Sequence, residues 1–235
     1  QAIKNYQKAL LLAQNTNNTF HIAEQYKNIA ISHAELSEYS ESLRWHQKAW
    51  EQLELNNDLN GNTALSILLS QSSIYGYIGA IEQSMETLSQ AQKLAIKLNK
   101  LDALSDSYLR NASIHFEVKN YQAVINLLNL VDTAIMNDRS SLAWFFSLYA
   151  NTLIHMNKNK ESREIINKAL NFDIHWTESN INSFEILLME TYIQDGDLHQ
   201  ANQLLVNIQK NMENFDESWV MQFLLAKKFK VEKKH

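Results

Sequence analysis

The stretch "SLRWHQKAW", residues 42–50, sets Arg44, Trp45, His46, Gln47 and Lys48 side by side. Those residue types can serve acid–base chemistry, metal ligation or a basic-aromatic contact with nucleic acid. Spacing argues against each of these. Histidines that share a metal on one helix stand at i and i+4 with a carboxylate nearby, as in His-Glu-x-x-His, and the chain has no such pair. It has no Gly-x-Ser-x-Gly elbow and no phosphate-cradling glycine loop. Without cysteine there is no thiolate nucleophile, thiolate metal site or disulfide. The acidic residues form no pair that a helical phase would converge in one pocket. The reading is that this segment carries no catalytic residue, no metal site and no cofactor.

The elements that would position these side chains follow from composition. The 235 residues contain no proline and four glycines. Dense Leu, Ala, Gln, Glu and Lys then favours an all-α protein, since each backbone donor is kept and the glycine entropy cost is avoided. The formal net charge of -5 is spread along the chain. Phosphate neutralisation needs a basic stripe, so nucleic acid is not an expected partner of this segment. The lysine-rich stretch at Lys227, Lys228, Lys230, Lys233 and Lys234 reads as a solvated helix end. No apolar run approaches the ~20 residues of a membrane span. The lack of cysteine fits a periplasmic and a cytosolic protein alike, leaving the compartment open. The chain opens on Gln1, already inside a helical pattern, and reads as a fragment.

A repeat organises the whole chain. "QAIKNYQKAL" at Gln1, "ESLRWHQKAW" at Glu41, "QSMETLSQAQ" at Gln83, "AVINLLNLVD" at Ala123, "ESREIINKAL" at Glu161 and "QANQLLVNIQ" at Gln200 align. Their triplets are Ala2/Tyr6/Ala9, Ser42/His46/Ala49, Ser84/Leu88/Ala91, Val124/Leu128/Val131, Ser162/Ile166/Ala169 and Ala201/Leu205/Ile208. The first members lie 40, 42, 40, 38 and 39 residues apart. Spacing of i, i+4, i+7 puts each triplet on one helix face, where slim residues let a neighbouring helix come close. A preceding helix repeats the logic in Tyr26/Ala30/His33, Leu68/Ser72/Tyr75, Tyr108/Ala112/His115 and Phe146/Ala150/Leu153. Between the two helices stand short breaks: Ser37-Glu38-Tyr39, Gly79-Ala80-Ile81, Lys119-Asn120-Tyr121, Asn157-Lys158-Asn159 and Gly196-Asp197-Leu198. Glycine there suits a left-handed cap residue, and Asn tolerates the same conformation. In this phase His46 packs inside, as Tyr6 does one repeat earlier, while Arg44, Gln47 and Lys48 point outward. The opening cluster is a helix surface.

These residues resemble the tetratricopeptide repeat, and "DGDLHQANQLL" and "VKNYQAVINLL" match its pattern best. The period is near 39 residues instead of 34, and the proline that usually follows the second helix is missing. Long repeats of this kind resemble those of kinesin-light-chain-type arrays, bacterial peptide-pheromone receptors and sensory regions of bacterial regulators. The resemblance implies a right-handed superhelix of stacked antiparallel helical hairpins, a TPR-like α-solenoid of about 12 helices. Residues 1–14 would be the second helix of a truncated repeat. Hairpins would follow at 19–56, 60–98, 100–137, 139–171 and 177–213, and 215–235 would be a lone first helix. The fifth hairpin is irregular, with Met189 at the small position and Glu185 at an apolar one.

The resemblance also implies a concave groove lined by first helices. Its expected lining is Lys27, Ile31 and Glu35, then Leu69, Ser73 and Tyr77, then Leu109, Arg110, Ser113 and Phe116. Ser147, Asn151 and His155 follow, then Ile186, Glu190 and Gln194. Asn151 would pair with a peptide backbone, Arg110 would hold a carboxylate in a fork, and Phe116 or Tyr77 would take an apolar side chain. The lysine/asparagine lattice of the family's chaperone-tail clamps is not reproduced, so a C-terminal carboxylate held in that manner is not expected. The implied role is a non-catalytic scaffold for a protein or peptide segment, as a sensory or regulatory region of a larger bacterial signalling protein. The alternative is an oligomerisation or spacer array attached to an output domain, and the exposed ends would allow a homodimer.

Overall fold

The structure, a computed structural model, describes residues 1–136 and 138–211. The expected helix over 215–235 and its lysines lie outside the described residues. Those described are all-helical, with eleven helices: α1 (Ala2–Asn15), α2 (Thr19–Glu35), α3 (Tyr39–Leu55), α4 (Asn62–Tyr77), α5 (Ile81–Lys97), α6 (Leu101–Glu117), α7 (Tyr121–Leu128), α8 (Arg139–His155), α9 (Asn159–Leu170), α10 (Glu178–Asp195) and α11 (Leu198–Asn211). They fall into two compact units, Gln1–Ile114 and a second unit that begins at His115. In the first, α1 packs on α2, α2 on α3, α3 on α4 and α4 on α5, and the first helices α2 and α4 also touch. In the second, α7 packs on α8, α8 on α9, α9 on α10 and α10 on α11, with α8 against α10.

Close approach at small residues holds the hairpins. Ala30, Ser42, Ala49, Ser84, Ala91, Ala150, Ser162 and Ala169 are all 0 % exposed. Where the slim residue of the second helix is serine, its hydroxyl donates to a backbone carbonyl of the first helix. The bonds run from Ser42 Oγ to Ala30 O at 2.6 Å, Ser84 Oγ to Ser72 O at 2.6 Å, and Ser162 Oγ to Ala150 O at 3.0 Å. A buried hydroxyl is thereby satisfied without widening the helix contact. Larger apolar residues fill in around these contacts. In the first unit Leu53, Ile67, Leu68 and Leu94 join Ala49, Ala64 and Ala91. In the second, Met189, Ile193, Ala201 and Ile208 pack together.

Left-handed residues turn the chain. Ser37, Gly79, Lys119, Asn157 and Gly196, each the first residue of a break within a hairpin, have φ of 60°, 77°, 59°, 58° and 78°. Asn17, Asn57 and Asn99, at joints between hairpins, have φ of 50°, 53° and 53°. Each closes its helix with a Schellman pair, as Ser37 N–H to Ala34 O at 2.9 Å and Glu38 N–H to His33 O at 2.9 Å show. The bonds satisfy carbonyls that the helix end would otherwise leave orphaned, and the next helix follows at once except after Asn57, where α4 waits until Asn62.

Two other joints depart from this scheme, their helices ending without a left-handed turn. Helix α7 ends at Leu128, so Val131, the last of its triplet, lies beyond the helix although it stays buried. An Asx turn from Asp132 Oδ1 to the N–H of Ala134 (3.0 Å) competes with helical continuation there. After α9, Trp176 folds back and its Nε1 donates to Ala169 O at 2.8 Å. The ring packs edge-on to Phe146 and Phe184, so an aromatic cluster takes the role that a tight joint plays elsewhere.

Two stability series test these contacts by urea denaturation. Ser42→Ala removes the buried bond and is expected to cost about 1 kcal/mol, and Ser42→Val, which adds bulk at the contact, about 2 kcal/mol. A Cβ at Gly79 meets nothing within 4 Å, so Gly79→Ala reads backbone strain alone, about 1 kcal/mol. Lys119→Gly relieves the same strain and should raise the midpoint.

Candidate functional site

In the first unit α2, α4 and the first part of α6 surround an open cavity of about 520 Å³. Helix α2 contributes Ile31 and Ala34, and α6 contributes Asp102, Ala103, Asp106 and Arg110, with Lys100 just before it. Helix α4 presents Ser66, Ser70, Ser73 and Tyr77 beside Leu65, Leu69 and Ile74, with Asn62 at its start. Ser66, Ser70, Ser73 and Tyr77 stand at i, i+4, i+7 and i+11, so one stripe of hydroxyls runs along this wall.

Arg110 is held from two sides. Its Nε donates to Asp106 Oδ2 at 2.8 Å, the i, i+4 partner, and its Nη1 donates to Ser73 Oγ across on α4. Both ion-pair members are roughly three-quarters buried, at 30 % and 27 % side-chain exposure. The expected fork for a carboxylate is therefore not free: Asp106 already holds one donor and compensates the charge.

Beneath the stripe lies His46, 0 % exposed, with its Nε2 at 2.9 Å from Ser70 Oγ. Burial, helped by the nearby Lys27 charge, pushes its pKa down to about 4. The other ring nitrogen, Nδ1, is buried with no hydrogen-bond partner. A serine–histidine pair that acts as a nucleophile needs a more basic imidazole and a group to orient it. Here both are missing, and His46 is a packing residue, as the repeat phase predicts.

Five expected lining residues meet in this cavity: Ile31, Leu69, Ser73, Tyr77 and Arg110. Leu109 does not line it. It is 0 % exposed, because the position next to Arg110 is turned by about 100° into the helix packing. Lys27 and Glu35 stand on α2 outside the lining, and the Ser113 hydroxyl folds back onto Leu109 O at 3.2 Å. Sequence reasoning missed Ser66, Ser70 and Asp106. Extending the Ser73/Tyr77 phase back by one turn finds Ser70 and by two turns Ser66, and the i−4 carboxylate of Arg110 marks Asp106.

In the second unit Ser147 and Asn151 are half-buried on α8. His155 and Phe116 are engaged with Tyr121: the His155 ring stacks on it at 5.2 Å, and Phe116 meets His155 edge-on at 5.5 Å. In the first unit Tyr77 likewise stacks on Tyr39 at 5.7 Å. Tyr39, Tyr121 and Asn159 are equivalent, each the third residue of a break, and each grips the end of the next first helix. The Asn159 version is polar: its Nδ2 donates to Asp195 Oδ1 at 2.7 Å, while Arg163 Nη1 bonds Asp195 Oδ2 at 2.6 Å. Burial pushes the Asp195 carboxyl up, but these two bonds and the Arg163 charge outweigh it and hold the group below its ordinary range. Ile186 lines a smaller cavity of about 310 Å³ on α10 with Glu178, Ser179, Asn182 and Ser183. Gln194 donates to Glu190 Oε1 at 3.5 Å. Among the described residues no three His, Asp or Glu side chains gather as a metal site would require, and no helix is long and apolar enough to cross a membrane.

No family model and no curated protein matches the sequence. Solved structures do match in fold. BtubC (BKLC) from P. vanneervenii superposes with TM-score 0.75, at 11% identity over 92% of both chains. The nearly identical TPR-like repeats of a putative kinesin light chain from Podosopora anserina give TM-score 0.66, at 14% identity over 83% of this chain and 96% of that one. The MamA RS-1 ArsTM double mutant gives 0.59, at 15% identity over 83% and 97%. The chain has a tetratricopeptide-type helical repeat fold.

His46 makes stability depend on pH. Between its folded value of about 4 and the ordinary 6.5, the unfolded chain binds a proton that the folded chain refuses. Stability is thus lost as pH falls through that window, by up to about 3 kcal/mol. His46→Leu installs the residue that Leu88 and Leu128 supply in other repeats. It should fold and flatten the change in urea midpoint between about pH 7 and about pH 5.

Proposed function

We propose that the protein is a non-catalytic scaffold that binds a segment of another polypeptide in the groove of its first unit. The observation that carries this reading is the groove itself: an open cavity of about 520 Å³ with apolar, hydroxyl and paired-charge groups on three helices. Pockets of this size with few, placed polar groups are the usual form of a binding site. The array is assigned to a sensory or regulatory region of a larger bacterial signalling protein. The near-39-residue period and its resemblance to regulator-type arrays support that context. The expected lining residues of the second unit, Ser147, Asn151, Ile186, Glu190 and Gln194, would offer a contact surface of that unit's own. No nucleic acid, cofactor or metal is assigned to this segment.

A peptide-display selection on the wild-type chain, followed by calorimetry, tests the reading. Selected peptides should lose most of their affinity for Ser66→Tyr, which places a ring in the groove, while its melting temperature is unchanged. Peptides that bind both forms equally would move the site elsewhere. An absence of peptide binding, together with a mass by light scattering that grows with concentration, would favour an oligomerisation or spacer array.

A further inference from the structure

We infer that this groove takes an internal, extended and uncharged polypeptide segment bearing an aliphatic side chain, and that Asp106 is the residue that turns carboxylates away. The inference rests on the peptide-binding reading above and adds the chemistry of the occupant.

Charge is the first argument. The lining carries four charged side chains, Lys100 and Arg110 against Asp102 and Asp106, so it is balanced. The one cation at its centre, Arg110, is bonded through Nε to Asp106 at 2.8 Å and through Nη1 to Ser73. An incoming carboxylate would have to share the guanidinium with Asp106 in a site only about 30 % exposed, where like charges repel strongly. A neutral carbonyl meets no such repulsion and can accept from the guanidinium N–H groups left over.

Geometry is the second. Ser66, Ser70 and Ser73 span seven residues of α4, about 10 Å of rise, which matches about three residues of extended chain. Ser66 offers both a donor and an acceptor to a backbone, while Ser70, bonded to His46 Nε2, and Ser73, which donates to Leu69 O at 3.2 Å and accepts from Arg110, each keep a lone pair for a backbone N–H. Ile31 and Leu69, half-buried on facing helices, supply the contact for an aliphatic side chain.

The test is an array of acetylated peptides with a central leucine and variable neutral flanks, each in C-terminal amide and free-acid form. The wild-type chain should capture leucine-containing members equally in both forms, and high salt should leave capture unchanged. Asp106→Asn keeps an acceptor for Arg110 Nε but removes the charge. It should shift preference toward the free acids by about tenfold, checked on protein whose circular dichroism matches the wild type. A wild-type preference for free acids, a steep loss in salt, or an unchanged preference in Asp106→Asn would overturn the inference and leave the peptide-binding reading standing. If the folded wild type captures no peptide, that reading falls and the inference with it.

Discussion

Everything in the two units depends on how closely two helices can approach at one slim, buried residue. At Ala30/Ser42, Ser72/Ser84 and Ala150/Ser162 the second helix comes near enough for a serine hydroxyl to reach a main-chain carbonyl of the first. A bulkier side chain on either side would push the helices apart, and the ring of larger residues around the contact would lose its packing. Most hairpins therefore keep a small residue at this point, with Val124 and Met189 the larger exceptions, and vary chemistry elsewhere. The neighbouring position of the same face is Tyr6, His46, Leu88, Leu128, Ile166 and Leu205 in turn.

Close packing of first on second helices leaves the first helices free on one side, where α2 and α4 touch and, with α6, bound a cavity. The left-handed turns serve this arrangement by ending all but one of their helices within three residues of the next, the exception being α3 before α4, so that little chain is spent on connections. Six of the eight left-handed positions are not glycine. The backbone strain they carry is offset by two Schellman bonds apiece and by the packing on either side.

The cavity of the first unit holds charged groups without being a charge trap. Arg110 is paired along its own helix with Asp106 and across to α4 with Ser73, so its guanidinium serves as an oriented donor more than as a free cation. His46, neutral and buried under Ser70, completes the underside of the wall. Tyr77, which lines the cavity, also stacks on Tyr39. One residue can do both because stacking uses a ring face and leaves an edge exposed.

Period, helix phase and turn chemistry are local properties, and they were legible. The absence of proline, the triplets at i, i+4, i+7 and the Gly, Asn and Ser breaks set the all-helical class, the small buried contacts and the inward phase of His46. Two irregular joints, after α7 and α9, were less so, because an Asx turn at Asp132 and a tryptophan folding back onto Ala169 are decided by packing around them. The groove was read in outline from one helix face at a time, which found Ile31, Leu69, Ser73, Tyr77 and Arg110. It missed Ser66, Ser70 and Asp106 in the cavity wall, while Lys27, Glu35 and the buried Leu109 lie outside that wall. Which side of a helix faces a cavity depends on where the two neighbouring helices come to rest, a matter of about one residue in rotation. The sequence by itself determined the repeat, its slim contacts and the i−4 carboxylate beside Arg110; only the tertiary structure decided that Arg110 also reaches Ser73, because that partner comes from another helix.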